Sequence, residues 1–243
     1  MAIPTSGLIS SIDFLNPACF TTVPPNNTVV NDLSAANNDW SLASAGYTYN
    51  ASFGSLSLPP SLWLRADLQN LFGTGNVSFT LSFWNYFDST QYDYLYYNGN
   101  YPGSGLHIVT DNANSQYKII YGPFLGLQAN TSTVSMDTWH NITYVYDHTT
   151  TTSTVYVDNI NVLSFVYSLS QGISSSIYPG VQFNDIWNGT GASPIAIIYC
   201  YNRAISTLEV SDIYNQNLAR FTPTPPPYVG SVGGRIFAEG LNG

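Results

Sequence analysis

The chain has 243 residues, 44% of them hydrophobic, so length and composition fit a single folded domain with a sizeable core. Five Lys and Arg residues stand against fourteen Asp and Glu, a net charge of −9, which excludes the basic face that nucleic-acid binding requires. No apolar run reaches the roughly eighteen residues of a membrane-spanning helix, so none is predicted.

Strand patterns dominate the chain from residue 78 onward. Residues 78–87 (SFTLSFWNYF) alternate in polarity, which predicts a half-buried strand. The Tyr-rich segment 92–101 contains Asn98-Gly99, the favoured dipeptide of a tight hairpin turn. Asp158-Asn159 predicts another turn, leading into a strand at 162–167. Two further hairpins are predicted, one pairing 106–110 with 117–121 and one pairing 142–146 with 154–157.

One helix is predicted near the C-terminus. Ser206 and Glu209 have the spacing of a capping box, and an apolar stripe follows at helical spacing to about Phe221. Residues 1–221 therefore form the predicted domain, and 222–243 form an extended Pro/Gly-rich arm. The arm is expected to pack on its own domain or, as the preferred interpretation, on a neighbouring subunit, through Pro225, Pro226, Pro227, Tyr228, Arg235, Ile236, Phe237 and Leu241.

Several segments resemble one family when they are taken together in chain order. They are GLISSID (7–13), VNDLS (30–34), the strand at 77–87, DTWHNITYVYDHTTTTSTVYVDNINV (137–162) and IAIIYCYNRAISTLEVSDIY (195–214). This set resembles the laminin-G-like, concanavalin-A-like jelly-roll family of secreted, phage and large-virus proteins. Asn159 stands where the family usually has Gly.

The resemblance implies an all-β, two-sheet antiparallel jelly-roll sandwich with a concave face and a first strand that pairs near the last. It also implies that Asp13 and Asp32 are structural hydrogen-bond acceptors. It implies no activity, because this fold carries lectins, adhesins, hydrolases and capsid components.

Catalytic patterns are absent from the sequence. Glycoside hydrolysis normally uses two carboxylates, but the only Glu residues are Glu209 in the helix cap and Glu239 in the arm. His107, His140 and His148 lack an accompanying G-x-S-x-G motif, and His140 is interpreted as a packing residue. The chain is therefore predicted not to be an enzyme.

Calcium is the one cofactor considered, because proteins of this fold sometimes bind it at loop oxygens. Asp111, Asn112 and Asn114 form one candidate group, and Asp137 with Asp185 forms another. The alternative is that these residues simply form turns.

An aromatic cluster is the remaining candidate site. Tyr and Trp stack on sugars and anchor protein interfaces, but they also pack within sheets, and all three interpretations stay open. The cluster comprises Trp84, Tyr86, Tyr92, Tyr94, Tyr96, Tyr97 and Tyr101.

Two cysteines and six sequons complete the candidate residues. Cys19 and Cys200 either form a disulfide or are separate buried thiols, with the thiols preferred. The N-x-S/T sequons permit glycosylation at Asn26, Asn50, Asn76, Asn130, Asn141 and Asn188.

Together these observations favour a non-catalytic structural subunit of an extracellular assembly, with a virion surface or minor capsid protein as the preferred interpretation. Its partners would be other protein subunits, and its location extracellular or on a virion surface. A glycan-binding lectin or adhesin that binds cell-surface glycans is the alternative, and a polysaccharide hydrolase or lyase is a third.

Overall fold

The computed structural model describes residues 2–20, 29–42, 47–58, 64–66, 77–90, 94–100, 104–121, 128–166, 181–183 and 193–222. For residues 94–100, 104–105, 121, 128 and 181–183 it describes the backbone alone.

The described residues form sixteen strands followed by one helix, α1 (Thr207–Phe221). The strands are β1 (Leu8–Asp13), β2 (Val29–Val30), β3 (Trp40–Leu42), β4 (Thr48–Asn50), β5 (Ser55–Ser57), β6 (Leu64–Ala66), β7 (Phe79–Phe87), β8 (Tyr94–Asn100), β9 (Ser104–Asp111), β10 (Gln116–Tyr121), β11 (Gln128–Asn130), β12 (Thr138–Asp147), β13 (Thr152–Val157), β14 (Ile160–Val166), β15 (Val181–Phe183) and β16 (Ile195–Tyr201).

The strands form two eight-stranded antiparallel sheets, which confirms the predicted all-β sandwich with one C-terminal helix. The first sheet has the order β14-β13-β12-β7-β16-β5-β4, and β1 also pairs with β16. The second has the order β11-β10-β9-β8-β15-β6-β3-β2. The pairing of β1 with β16 is the closure that the family resemblance implies.

Strand β7 shows why the sandwich has two hydrophobic layers. Its residues Phe79, Leu81, Phe83 and Phe87 enter the core between the sheets, as the alternation predicts. The prediction of a half-buried strand is nevertheless wrong, because every β7 residue except Tyr86 is buried. Helix α1 covers the other face, where buried hydroxyls are paired with polar groups: the Ser82 and Thr143 hydroxyls lie 2.8 Å apart.

Three of the predicted hairpins form. Strand β9 pairs with β10, and β12 pairs with β13, around the expected polar turns. Asp158 and Asn159 have φ values of 51° and 65° between the paired residues Val157 and Ile160. These values fit a two-residue type I′ turn, a conformation that Asn and Asp tolerate better than most residues. Asn159 therefore takes the place of glycine without changing the hairpin.

The predicted turn at Asn98-Gly99 does not form. Strand β8 continues through both residues, with Asn98 opposite Leu106 and Gly99 opposite Gly105. The prediction is wrong because pairing with β9 extends the strand beyond the dipeptide, so long-range register overrides a local turn preference.

Helix α1 begins with the predicted capping box. The Glu209 amide donates to Ser206 Oγ, and the Ser206 amide donates to Glu209 Oε2 at 2.8 Å. Arg203 binds the same Glu209 carboxylate with two nitrogens, and these hydrogen bonds lower the pKa of Glu209 to about 2. Among the described residues, no helix combines the length and apolarity needed to cross a bilayer.

Asp32 is a structural acceptor, as the family resemblance implies. Its carboxylate is buried and accepts the amides of Ser11, Ser34 and Asn38 at 2.7–2.9 Å, as well as the Ser34 hydroxyl at 2.6 Å. This network joins β1 to the segment before β3. Asp13 likewise accepts the Leu15 amide, and in addition it binds Arg220 of α1.

Candidate functional site

Two members of the predicted aromatic cluster lie in the first sheet, beneath or beside α1. Trp84 is only 1% exposed, stacked on Phe221 at 4.2 Å and on Tyr214 at 5.7 Å between ring centroids. It is therefore a packing residue, and its proposed role in surface contacts is wrong. Tyr86 is half-buried and meets the edge of Trp139 at 5.8 Å.

The tyrosines of β8 are divided between two faces of the second sheet. The backbone register puts Tyr94 opposite Val109, Tyr96 opposite Ile108 and Tyr97 opposite His107. Ile108 belongs to the core between the sheets, whereas Val109 and His107 do not. Because directly opposed residues share a face, the positions of Tyr94 and Tyr97 belong to the outer face and that of Tyr96 to the core face. Tyr92 and Tyr101 lie outside the described residues.

One line of register positions runs across the whole outer face of the second sheet. We call it the transverse row, and each member is paired with the next: Val29, Ser41, Arg65, Gln182, Tyr97, His107, Ile120 and Gln128. A shorter line beside it comprises Tyr94, Val109, Lys118 and Asn130. We refer to the two lines together as the polar outer face.

The polar outer face combines accessible and covered positions. Ser41 and Asn130 are exposed, and Arg65 and Lys118 are half-buried. His107 and Val109 are buried although they belong to this outer face, so the middle of the face is covered. Burial lowers the pKa of His107 to about 4, which leaves a neutral imidazole at neutral pH.

The outer face of the first sheet has a different character. Trp139, Tyr199 and Tyr201 of this face are buried with Val210 and Ile213 of α1 in a second hydrophobic cluster. The helix therefore occupies the surface that a ligand would need. Of the two outer faces, the polar outer face of the second sheet is the candidate for binding.

The predicted calcium ligands do not fit a calcium ion. Asp111 is the only carboxylate of its group, and its Oδ2 already accepts Asn114 Nδ2 at 3.0 Å and lies 3.4 Å from Lys118 Nζ. The Asn114 hydrogen bond and the Lys118 charge lower the pKa of Asp111. The ammonium group repels a cation, and calcium needs about six to eight oxygens, so these residues form a turn.

The second predicted calcium group is only partly described. Asp185 lies outside the described residues, and Asp137 Oδ1 accepts the Ser89 amide at 2.9 Å. Among the described residues, no cluster of three or more His, Cys, Asp or Glu side chains forms a metal site.

Ser135, His140 and Asp158 form a contiguous polar group that sequence reasoning misses. Asp158 Oδ2 lies 2.6 Å from His140 Nδ1, and Ser135 Oγ lies 3.2 Å from His140 Nε2. Ser135 is exposed and His140 is buried. The spacing resembles a nucleophile–base–acid array, but the Ser135 carbonyl oxygen is nearer to Nε2, at 2.8 Å. In this arrangement Nε2 donates a proton toward Ser135 and does not act as its base.

The remaining candidate residues have structural roles or lie elsewhere. Cys19 and Cys200 are buried free thiols and form no disulfide, and burial raises the pKa of both. Asn50 and Asn130 are exposed, whereas Asn141 is buried and hydrogen-bonded to Ser82 and Phe83, so Asn141 is not an accessible sequon. Outside the described residues lie Asn26, Asn76, Asn188 and the whole arm: Pro225, Pro226, Pro227, Tyr228, Arg235, Ile236, Phe237 and Leu241.

Comparison by sequence identifies no relative. No protein-family model matches the chain, and no curated protein matches it.

Comparison by structure identifies several proteins of the same fold. A sialidase of Trypanosoma rangeli is similar with a TM-score of 0.66 and 17% identity, over 91% of this chain and 35% of the sialidase. The sialidase in complex with sialic acid is similar to the same degree, with 16% identity. A structure of botulinum neurotoxin type C, whose cell entry depends on interaction with two ganglioside molecules, is similar with a TM-score of 0.64 and 14% identity, over 87% of this chain and 51% of that one.

These similarities show a concanavalin-A-like β-sandwich and correct three predictions. The preference for a non-catalytic virion subunit is wrong, because the similar structures are sialidases and a toxin that depends on gangliosides. The phage and large-virus part of the family resemblance has no support among them. The prediction that the chain is not an enzyme is overturned by the sialidases, several of them in complex with sialic acid or related sugars. This chain spans only about a third of the length of those sialidases.

Proposed function

We propose that the chain is a glycan-binding module and that its binding site is the polar outer face of the second sheet. The transverse row is the observation that carries this proposal, because it aligns amide, hydroxyl, guanidinium and Tyr positions across the second sheet, on both sides of the buried His107. Sugar hydroxyls need hydrogen-bond donors and acceptors side by side, and sugar ring faces pack on aromatic side chains.

The charge distribution supports acidic sugars as the first ligands to test. The polar outer face has Arg65 on β6 and Lys118 on β10, four strands apart in the sheet, although the chain as a whole carries a net charge of −9. Lys118 lies 3.4 Å from Asp111, so Arg65 is the cation to test against an acidic sugar. A guanidinium group binds a carboxylate through paired hydrogen bonds. The similar structures point the same way, because the sialidase binds sialic acid and the neurotoxin depends on gangliosides.

A glycan array that includes sialylated and neutral oligosaccharides, followed by calorimetry on the best ligand, tests the proposal. Tyr97→Ala and Asn130→Ala change two positions of the polar outer face and should weaken binding about tenfold or more. Asn161→Ala is the matched control, because Asn161 is an exposed strand residue in the first sheet. Equal binding by all three variants, or no binding to any glycan by the wild type, would overturn the proposal.

Whether the chain also hydrolyses glycans can be tested with the same ligands. Purified protein incubated with a sialylated ligand should be assayed for released sialic acid alongside the binding measurement. Release would extend the function from binding to cleavage, and binding without release would leave it as a lectin activity.

We further propose a laminin-G-like subclass and an extracellular location. The paired first and last strands, the buried Asp32 network and the Asp158-Asn159 hairpin support the subclass. The small charged fraction of 8% and the proposed ligand support the location, which fractionation of the source culture would test.

A further inference from the structure

The ring of His140 has an oxygen atom facing each of its nitrogens. Asp158 Oδ2 lies 2.6 Å from Nδ1, and the Ser135 carbonyl oxygen lies 2.8 Å from Nε2. A carboxylate and a carbonyl accept hydrogen bonds and cannot donate them, and a neutral imidazole carries only one N–H. Both contacts are therefore satisfied together only by the imidazolium form.

The surroundings of the ring favour this charge. Burial is the largest single influence and would lower the pKa of His140, but the hydrogen bond and negative charge of Asp158, together with the hydrogen bond to the Ser135 carbonyl, raise the pKa overall. Asp158 is itself held in place, because its Oδ1 accepts the Asn141 amide at 2.9 Å. Tyr117 of β10 faces the ring edge-on at 6.4 Å, and burial raises its pKa well above the usual range, so it stays neutral. Asp158 and Tyr117 are the titratable groups that face His140 among the described residues.

The ring joins two segments that are distant in sequence and belong to different parts of the fold. Ser135 belongs to the connection 131–137, which passes from β11 of the second sheet to β12 of the first. Asp158 belongs to the turn between β13 and β14. The connection also donates backbone hydrogen bonds from Thr131 to Tyr117, from Val134 to Ser115 and from Asp137 to Phe87, at 2.9, 2.8 and 2.6 Å.

We propose that His140 is a pH-dependent clamp that, when protonated, fastens the connection between the two sheets to the β13–β14 turn. This inference does not depend on glycan binding.

Loss of the proton rearranges one side of the clamp. The remaining N–H stays on Nδ1 with Asp158, and the lone pair of Nε2 then faces the Ser135 carbonyl oxygen, which is repulsive. The Ser135 hydroxyl, at 3.2 Å from Nε2, becomes the group that donates to the ring. The neutral state therefore exchanges a backbone contact for a side-chain contact, and the backbone at Ser135 must move.

The direction of the pH effect follows from the raised pKa. A group whose pKa is higher in the folded state contributes its full stability below the unfolded value, near 6.5 for His, and loses it as the pH rises through the folded value. For each unit by which the folded and unfolded pKa values differ, the equilibrium constant for folding changes tenfold, which corresponds to about 1.4 kcal/mol.

Titration of the imidazole rings by NMR is the direct test. We expect His140 to titrate above 6.5 in the wild type, with protons on both ring nitrogens at pH 6. Asp158→Asn should lower that value, because it removes the carboxylate while keeping a residue that tolerates positive φ. A His140 ring that titrates at or below 6.5 in the wild type would overturn the clamp.

Amide hydrogen exchange distinguishes the clamp from a purely structural histidine, because only the clamp makes the effect of replacing His140 depend on pH. Val134 should exchange faster in His140→Gln than in the wild type at pH 6, and at equal rates in both at pH 9. His148→Gln is the matched control, because the buried Nδ1 of His148 has no hydrogen-bond partner in the described part of the chain, and it should leave Val134 unchanged. A difference between wild type and His140→Gln that is as large at pH 9 as at pH 6 would contradict the proposal.

Discussion

Arg220, the residue before the last of α1, donates from Nη1 to Oδ1 of Asp13 at the end of β1, across 2.6 Å. The same guanidinium donates to the carbonyl oxygens of Phe53 and Gly54 at 2.7 and 2.8 Å. One side chain thus ties the helix to the first strand and to the turn before β5. This turn has no room for a side chain larger than that of glycine at position 54.

Replacement of Gly54 by Ala should destabilise the fold by about 2–4 kcal/mol. Gly54 has φ = +51°, and an added Cβ would lie 2.4 Å from Arg220 Nη2 and 2.5 Å from Leu15 Cβ. The free energy of unfolding, measured with a chemical denaturant, checks this. Ala51→Gly in the same turn is the control and should cost less than about 1 kcal/mol, because Ala51 is exposed. Equal losses in the two variants would contradict the steric argument.

Glu209 should make the stability depend on pH in the acidic range. Its folded pKa of about 2 lies below its unfolded value near 4.3, so its contribution is present above the unfolded value and is lost as the pH falls toward 2. We expect the wild type to lose on the order of 2 kcal/mol more than Glu209→Gln between about pH 5 and pH 2. Denaturation curves at several pH values measure it, and parallel curves for the two proteins would disprove it. Arg203→Gln should reduce the same dependence, since it removes the partner.

Asp32→Ala should be among the most damaging single substitutions in the chain. It leaves three backbone amides and a hydroxyl without their acceptor in a buried position, at a cost of about 3 kcal/mol or more. Asp39→Ala is the matched comparison, because the Asp39 carboxylate is exposed and accepts the Asp32 amide, and about 1 kcal/mol is expected. Thermal and denaturant unfolding would rank the two, and a smaller loss for Asp32→Ala would count against the network.

Among the described sequons, glycosylation should follow exposure. If the chain is expressed through a eukaryotic secretory pathway, mass spectrometry of the folded product should find glycan on Asn50 and Asn130 and none on Asn141. Asn141 is buried, and its amide group donates to Ser82 Oγ and to the Phe83 carbonyl at 3.3 and 3.2 Å. A glycan on Asn141 in folded protein would contradict the described packing.

The elements that depend on neighbouring residues are the ones that the sequence predicts correctly. The capping box at Ser206 and Glu209 and the turn at Asp158-Asn159 are set by side chains within a few residues of each other. The turn predicted at Asn98-Gly99 fails because pairing with β9 decides where β8 ends. The half-buried character predicted for β7 fails because α1, more than a hundred residues later, covers the face that carries Trp84.

The candidate sites depend still more on long-range arrangement. Gln182 and Tyr97 are adjacent in the transverse row only because β15 lies between β8 and β6, a strand order that no local pattern shows. Asp158 is a turn residue, as the sequence predicts. Its contact with His140 arises because β12 and β13 form one hairpin, and no local pattern shows that contact. The position of His140 near the start of a strand correctly predicts that the residue is packed, but it does not indicate that the ring is protonated.

The pairing of β1 with β16 determines on which side of the sandwich the described part of the chain begins and ends. Strand β1 lies in the first sheet and α1 lies on the outside of that sheet, so both ends of the described sandwich are on the side remote from the polar outer face. A linker or an anchoring surface attached at either end would leave that face pointing away from the attachment. An attachment made directly at the start of β1 or at the end of α1 would therefore leave uncovered the surface that we assign to sugars.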